Sequence, residues 1–311
     1  MVQMQMNNTI TALAQRLIFP ATMLSGLLTT YSLMQFEVAP EVAALIAVAF
    51  FGFILIPFWE RLLPYRDDWS KSDADVKTDV LHLVVNAVVP KLWTPVQVAL
   101  LVGVTHWASE KFGAGLWPHQ WPLMVQLALM LLIAEFGRYW IHRAAHTLPW
   151  LWRFHAVHHS PNRLYFLNAG RFHPLEKLLF QLPEVAPFII LGVNVETIAL
   201  YFTFNTIHGL FQHSNARLKL GFLNYLFSMT ELHRWHHSQV IKESDTNFGN
   251  NLIIWDLIFG TFHWPKDSEV DTIGLLNDSY PKDYKGQLAA PFAQTDMSKP
   301  VDYASPSETA V

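Results

Sequence analysis

Two runs near the start of the chain, Leu17 to Met34 and Val42 to Trp59, each pass 18 residues without a charge. An α-helix rises about 1.5 Å per residue, so such a run is close to the ~20 residues that cross a bilayer. In hydrocarbon every backbone N–H and C=O must be paired internally, which restricts such runs to helices. Val80 to Val104 is a third run, interrupted by Pro90, Lys91 and Pro95. It reads as one kinked span or as an interfacial helix followed by a shorter one. Trp117 to Ala134 is the fourth, its tryptophans suited to an outer membrane interface. Hydrophobic residues make up 51% of the 311 and charged residues 15%, well below the roughly 25% charged of a soluble domain. The expected fold is all-α: an integral membrane protein with about four transmembrane helices.

Between the first two runs lie Glu37 and Glu41 but no Lys or Arg; after the second come Arg61, Arg66, Lys71 and Lys77. The positive-inside rule places that basic loop in the cytosol and makes the first two helices a hairpin. The fourth run leads straight into Arg138, His142, Arg143 and His146, so the chain returns to the same side. Pro183 to Phe211 is apolar again but broken by Glu184, Gly192, Asn194 and Glu196. Its arms are too short to cross, so it reads as a re-entrant hairpin. The opening "MVQMQMNNTITALAQR" has no basic n-region, and the first run reads as a retained anchor. Three segments are expected: 1–78, a transmembrane hairpin with its basic loop; 79–265, a catalytic domain; and 266–311, a polar, disordered tail ending in "AQTDMSKPVDYASPSETAV". The net charge of −4 offers no footprint for nucleic acid. With no cysteine, disulfides, thiolate-held clusters and zinc ribbons are excluded.

Any metal must therefore be held by histidine, carboxylate or amide groups, and the histidines are not scattered. His142 and His146 stand at i and i+4; His155, His158 and His159 at i, i+3 and i+4; His233, His236 and His237 repeat that pattern. Residues three and four apart share a helix face, so each group can present its imidazoles to a common point. Neutral imidazole is a good ligand for iron, zinc or copper. Eight imidazoles exceed what one ion can use, which points to two metals. His208 and His213, in "NTIHGLFQHSN", lie about 140° apart around a helix and could reach two metals on either side of it. His173, in "GRFHPLE", is a candidate to support a ligand. His82, His106 and His119 have no partner at ligand spacing and read as background, as does His263.

At "EFGRYWIHRAAH", "FHAVHH", "RFHPLE", "FQHSN", "LHRWHHS" and "NFGNNLIIWDLIFGTF" the chain resembles the fatty acid hydroxylase / sterol desaturase superfamily of membrane di-iron enzymes. The motifs fall in that family's order over roughly residues 79–265. The resemblance implies a helical anchor carrying a cytosolic helical cap that houses two irons. It implies as ligands His142, His146, His155, His158, His159, His233, His236 and His237, with His213 as the further histidine of the intermediate helix and His208 as a weaker match. Glu135 departs from the family, whose first box often opens with Asp; that position is expected to orient a ligand histidine.

An aliphatic C–H bond does not yield to acid–base catalysis, and breaking it calls for an oxidant that a metal makes from O2. The expected activity is hydroxylation of a fatty acyl or sterol-like lipid drawn from the bilayer, with two irons as cofactor, zinc as a substitute in preparations, and O2 as co-substrate. The chain carries no "HPGG", no cysteine and no GxGxxG fingerprint, so electrons are expected from a separate reductase, ferredoxin or cytochrome. The expected location is a bacterial inner membrane with the histidines on the cytosolic face. Desaturation is the nearer alternative. A zinc hydrolase lacks the HExxH signature, and a metal transporter would carry its histidines inside the spans.

Overall fold

The computed structural model describes residues 8–112, 115–277 and 279–293, and among them no strand forms beyond isolated bridges. Four helical segments are long and apolar enough to cross a membrane: Asn8–Gln35, Pro40–Leu62, Val76–Phe112 and Leu123–Thr147. The first is α1 (Asn8–Gln35). The second is α2 (Pro40–Ala47), a π-helical stretch over Val48–Leu55, and α3 (Ile56–Leu62). The third, α4 (Val76–Phe112), is one continuous helix with Pro90 and Pro95 inside it, the single-span alternative of the two that the sequence offers. The Thr94 hydroxyl also bonds the Pro90 carbonyl at 2.9 Å within this stretch. The fourth, α5 (Leu123–Thr147), begins after the Trp117–Trp121 turn and runs on through the first two histidines.

Leu148 ends α5 in an extended conformation, as the residue before a proline prefers, and Pro149 opens α6 (Pro149–His159). This corner folds α6 back on the end of α5. Next come α7 (Pro174–Leu191) and α8 (Val195–Gln212), joined at Gly192 in the left-handed region (φ 70°). The two form a helical hairpin that departs from the histidine region at Glu176 and returns to it at His213. Short helices complete the histidine end: α9 (Thr230–His236), α10 (Ile241–Ser244), α11 (Ile254–Phe259) and α12 (Tyr284–Ala289).

Close approach of α8 to the N-terminal hairpin depends on two glycines. A Cβ on Gly26 would stand 2.6 Å from Ile207, and one on Gly52 would stand 2.7 Å from Leu210. The main apolar core lies there, with Phe19, Met23, Ile56, Leu200, Phe204, Ile207 and Phe211 buried together. The segment after 265 departs from the expected disordered tail. Val270 and Ile273 pack with Tyr65, Trp69, Leu164 and Trp235, while Leu275, Tyr280 and Ala290 pack with Trp152 and Ala156. A few apolar residues spaced along a polar stretch were enough to anchor it. The stretch from Gln294 to Val311 lies outside the described residues.

Candidate metal centre

Nine histidines converge where the ends of α5, α6, α8 and α9 meet, and all nine are buried. They fall into two sets whose ligand-capable atoms lie within 4.8 Å of one another: His142, His146, His155, His159 and His236, and then His158, His213, His233 and His237. The sets abut, His159 stacking on His237 with ring centroids 4.4 Å apart. Each HxxHH box serves both sets, which corrects the expectation of one common point per box. In a helix the i+4 residue sits about 40° from i, while i+3 sits about 60° to the other side. Thus His155 and His159 face the first set and His158 the second. His233 and His237 face the second, and His236 the first.

Their outer nitrogens explain why these rings point inward. His142 Nδ1 donates to the Phe248 carbonyl (2.7 Å), His158 Nδ1 to the Arg171 carbonyl (3.2 Å) and His236 Nδ1 to the Thr246 carbonyl (2.8 Å). His146 Nδ1 bonds Asp245 at 2.9 Å, and His155 Nδ1 bonds Glu176 at 2.5 Å. These oxygens only accept, so each Nδ1 carries the proton and each Nε2 of the neutral ring is a bare lone pair. The Nε2 atoms nevertheless crowd together. His142 and His155 approach to 3.0 Å, His146 and His159 to 3.1 Å, and His213 and His233 to 2.9 Å. In the His142–His155 pair both Nδ1 atoms are engaged by acceptors, so two lone pairs face each other at 3.0 Å, and a shared cation is what such an arrangement accommodates. The donor set therefore fits metal ions.

Burial holds six of these rings neutral. Desolvation, reinforced by neighbouring imidazoles, pushes His158, His159, His233 and His237 well below the ordinary histidine pKa. His213 and His236 are pushed down to about 3, again mainly by burial. Neutral imidazole is the form that ligates.

The other expectations meet mixed outcomes. His208 is fully buried but joins neither set; it packs among Phe19, Phe204 and Phe227, and neither ring nitrogen has a hydrogen-bond partner. His173 supports no ligand. It caps α7, Nδ1 accepting from the Leu175 amide, with Nε2 facing the Leu288 carbonyl. Glu135 does not touch a histidine either. Its buried carboxylate accepts the backbone amides of Asn250 and Asn251 (the latter at 2.8 Å), while Asp256 accepts those of Phe248 and Gly249 at 2.8 Å each. These two carboxylates pin "NFGNN", whose Phe248 carbonyl holds His142, so Glu135 acts through the backbone. His82 is no ligand, yet it is fully buried and bridges the Phe172 carbonyl (3.0 Å) and Gln287 (2.9 Å). His106 and His119 stay outside, His106 pairing with Glu110 at the exposed end of α4.

Sequence reasoning passed over three side chains that hold ligand rings: Glu176, Asp245 and Asn168, whose Oδ1 meets His213 Nδ1 at 3.0 Å. Glu176 stands inside "RFHPLE", a segment in which the histidine pattern singles out only His173. For Asp245 and Asn168 the sequence carries no periodic signal.

A bundle with four membrane-length helices and two buried all-histidine sets at one end defines the class: a helical membrane-type protein with a metal-competent histidine cluster. Comparison with known proteins makes this specific. The model of the family described as "Fatty acid hydroxylase" matches residues 127–261. An ornithine lipid hydroxylase of Rhizobium tropici is 34% identical over 295 residues, covering 93% of this chain and 87% of that protein. The chain belongs to the fatty acid hydroxylase family. The alkylglycerol monooxygenase of Homo sapiens is 32% identical over 131 residues, 41% of this chain but only 28% of that longer protein. A very-long-chain aldehyde decarbonylase of Oryza sativa is 28% identical over 147 residues, 46% of this chain and 54% of that protein. No solved structure matches.

Proposed function

We propose that this protein is a membrane-bound di-iron oxygenase that hydroxylates a lipid, taking O2 as co-substrate and electrons from a separate donor protein. The observation that carries the reading is the pair of buried all-histidine sets, nine imidazoles with ligand-capable atoms within 4.8 Å of one another in each set. His142, His146, His155, His159 and His236 would hold one iron, and His158, His213, His233 and His237 the other. Bound iron supplies the O2-derived oxidant that an aliphatic C–H bond requires. The protein's part is to fix the ligand rings. Glu176 and Asp245 hold protons at His155 Nδ1 and His146 Nδ1 and raise the basicity of the opposite nitrogens. Phe172, Phe180 and Phe248 pack against ligand rings and exclude water.

Hydroxylation consumes one O2, two electrons and two protons, and releases one water. The chain has no cysteine for an iron–sulfur centre, which favours an external reductase, ferredoxin or cytochrome. Zinc competes for the same imidazoles and is expected to replace iron when iron is scarce. The alkylglycerol monooxygenases and the ornithine lipid hydroxylase among the relatives support a lipid substrate entering from the bilayer. The basic residues Arg61, Arg66, Lys71 and Lys77 support a cytosolic histidine end.

The test is lipid analysis of cells expressing wild type or His158→Ala under labelled O2, with a competent reductase. The expected result is a lipid that gains one labelled oxygen only with the wild type. Loss of two hydrogens without label would move the assignment to desaturation, and no O2-dependent change would overturn the oxygenase reading.

A further inference from the structure

Beside the histidine sets, on the α5 and α7 side, lies a group of buried and partly buried polar side chains with donors and acceptors that the metal centre does not use. Arg138 precedes His142 by one helical turn and is 6% exposed. One guanidinium nitrogen donates to Asn250 Oδ1 at 3.0 Å, while its Nε and Nη1 have no hydrogen-bond partner. Glu184 Oε2 forms an ion pair with Nη1 at 3.8 Å, too far for a hydrogen bond, while Oε1 accepts from Tyr201 at 2.9 Å. Lys177, on the same helix as Glu184, makes no hydrogen bond or ion pair; its ammonium rests 5.5 Å from the Phe172 ring centroid. The other oxygen of Glu176, Oε2, is buried and also unpartnered.

The two cations hold parallel positions relative to the metal ligands. The Arg138 guanidinium lies 4.9 Å from the Phe180 ring centroid, and Phe180 packs on His155 and His142 at 5.8 and 6.1 Å. Lys177 lies against Phe172, which stacks on His158 at 4.2 Å. Each cation is thus one aromatic ring removed from a different histidine set. Burying guanidinium donors without hydrogen-bond acceptors is costly, and the unpaired Nε and Nη1 of Arg138 beside the Lys177 ammonium leave donors that an anionic ligand would satisfy.

We propose that Arg138 and Lys177 bind an oxyanion of the lipid substrate, a carboxylate or a phosphate, and so place the carbons next to that group at the histidine sets. This rests on the lipid-oxygenase reading and deepens it. An oxyanion gives the free Arg138 donors and the Lys177 ammonium charge-assisted partners. Phe172 and Phe180 then separate the headgroup from the metals by a single ring layer, so oxygen is inserted within a few bonds of the headgroup rather than at the far end of the acyl chain.

The test needs no turnover. Metal-loaded full-length protein in neutral detergent is titrated with dodecanoate, dodecyl phosphate and methyl dodecanoate, and binding is read from the thermal midpoint. The expected result is binding of at least one charged amphiphile, with the methyl ester at least about tenfold weaker. A stronger response to dodecanoate identifies a carboxylate, and a stronger response to dodecyl phosphate identifies a phosphate. Lys177→Met is expected to weaken the charged ligand about tenfold and leave the methyl ester unchanged. Arg138→Gln should do the same if it folds; Lys177, only partly buried and with no polar partner for its ammonium, keeps the test decisive if it does not. Equal binding of ester and acid, or a Lys177→Met variant as selective as wild type, would overturn the proposal. Charge-selective binding by a protein that never labels a lipid from O2 would instead count against the oxygenase reading alone.

Discussion

At the scale of the residue, the two sets are unequal, and the inequality has consequences. The first has five imidazoles and the second four. Since four donors complete a tetrahedral site, losing one from the second set leaves three protein ligands, while losing one from the first still leaves four. His213→Ala is therefore expected to lower bound metal to about one ion per chain, whereas His236→Ala should retain about two; both should abolish turnover. Metal analysis of the purified variants beside an activity assay checks this. His208→Ala should keep both ions, because that ring joins neither set. Among the residues that hold ligand rings, Glu176→Gln and Asp245→Asn are each expected to lower metal affinity or activity by roughly 10- to 100-fold with the fold intact. An undiminished Glu176→Gln would show that His155 does not depend on its carboxylate partner. The spacing of the histidines makes the cluster legible because helix periodicity is local. It tells which rings share a face, but not that one face looks at two points. The partners Glu176, Asp245 and Asn168 were illegible because tertiary folding, not spacing, brings them to the rings.

At the scale of the element, the apolar runs disclose the spans because their signal is continuous and contained within each run. Their ends are less readable: α5 carries the first histidines in its last turns, and α4 passes through two prolines without a break. The 183–211 stretch reads as a hairpin, but its first arm begins nine residues earlier, at Pro174, since the polar residues Glu176 and Lys177 belong to the helix too. Packing of that arm on α5 needs Gly137, where a Cβ would stand 2.5 Å from the Pro183 carbonyl oxygen. Gly137→Ala is expected to cost about 1–3 kcal/mol through overpacking, measured as a lower unfolding midpoint in detergent. An unchanged midpoint would mean that the two helices are free to separate. His82 shows the opposite failure of sequence reading. Without a ligand-spaced partner it looked like background, yet it joins α4 to the loop before α7 and to α12. His82→Ala is expected to keep both metals and lose stability.

For the whole molecule, the histidine end and the membrane-type helices divide the labour. The helices expose large apolar side chains along their length, Val84, Val88, Leu92, Val96 and Leu100 on α4 among them, a continuous surface that water would penalise and lipid accepts. The histidine end is closed by segments from across the chain, including the 270–292 stretch that reads as a tail in sequence because its few anchoring residues are widely spaced. In the proposed topology the two ends of α1 and of α4 alternate sides, so reporter fusions after Gln35 and after Glu110 should read outside and a fusion after Ser160 inside. An outside signal after Ser160 would reverse the orientation without touching the chemistry. The proposed chemistry depends on the division of nine imidazoles between two ions. The most direct measurement is iron content per chain in active protein purified after iron supplementation, compared with His213→Ala. Two irons in the wild type and about one in the variant is the expected result. A single iron in fully active wild type, or full activity with zinc alone, would contradict it.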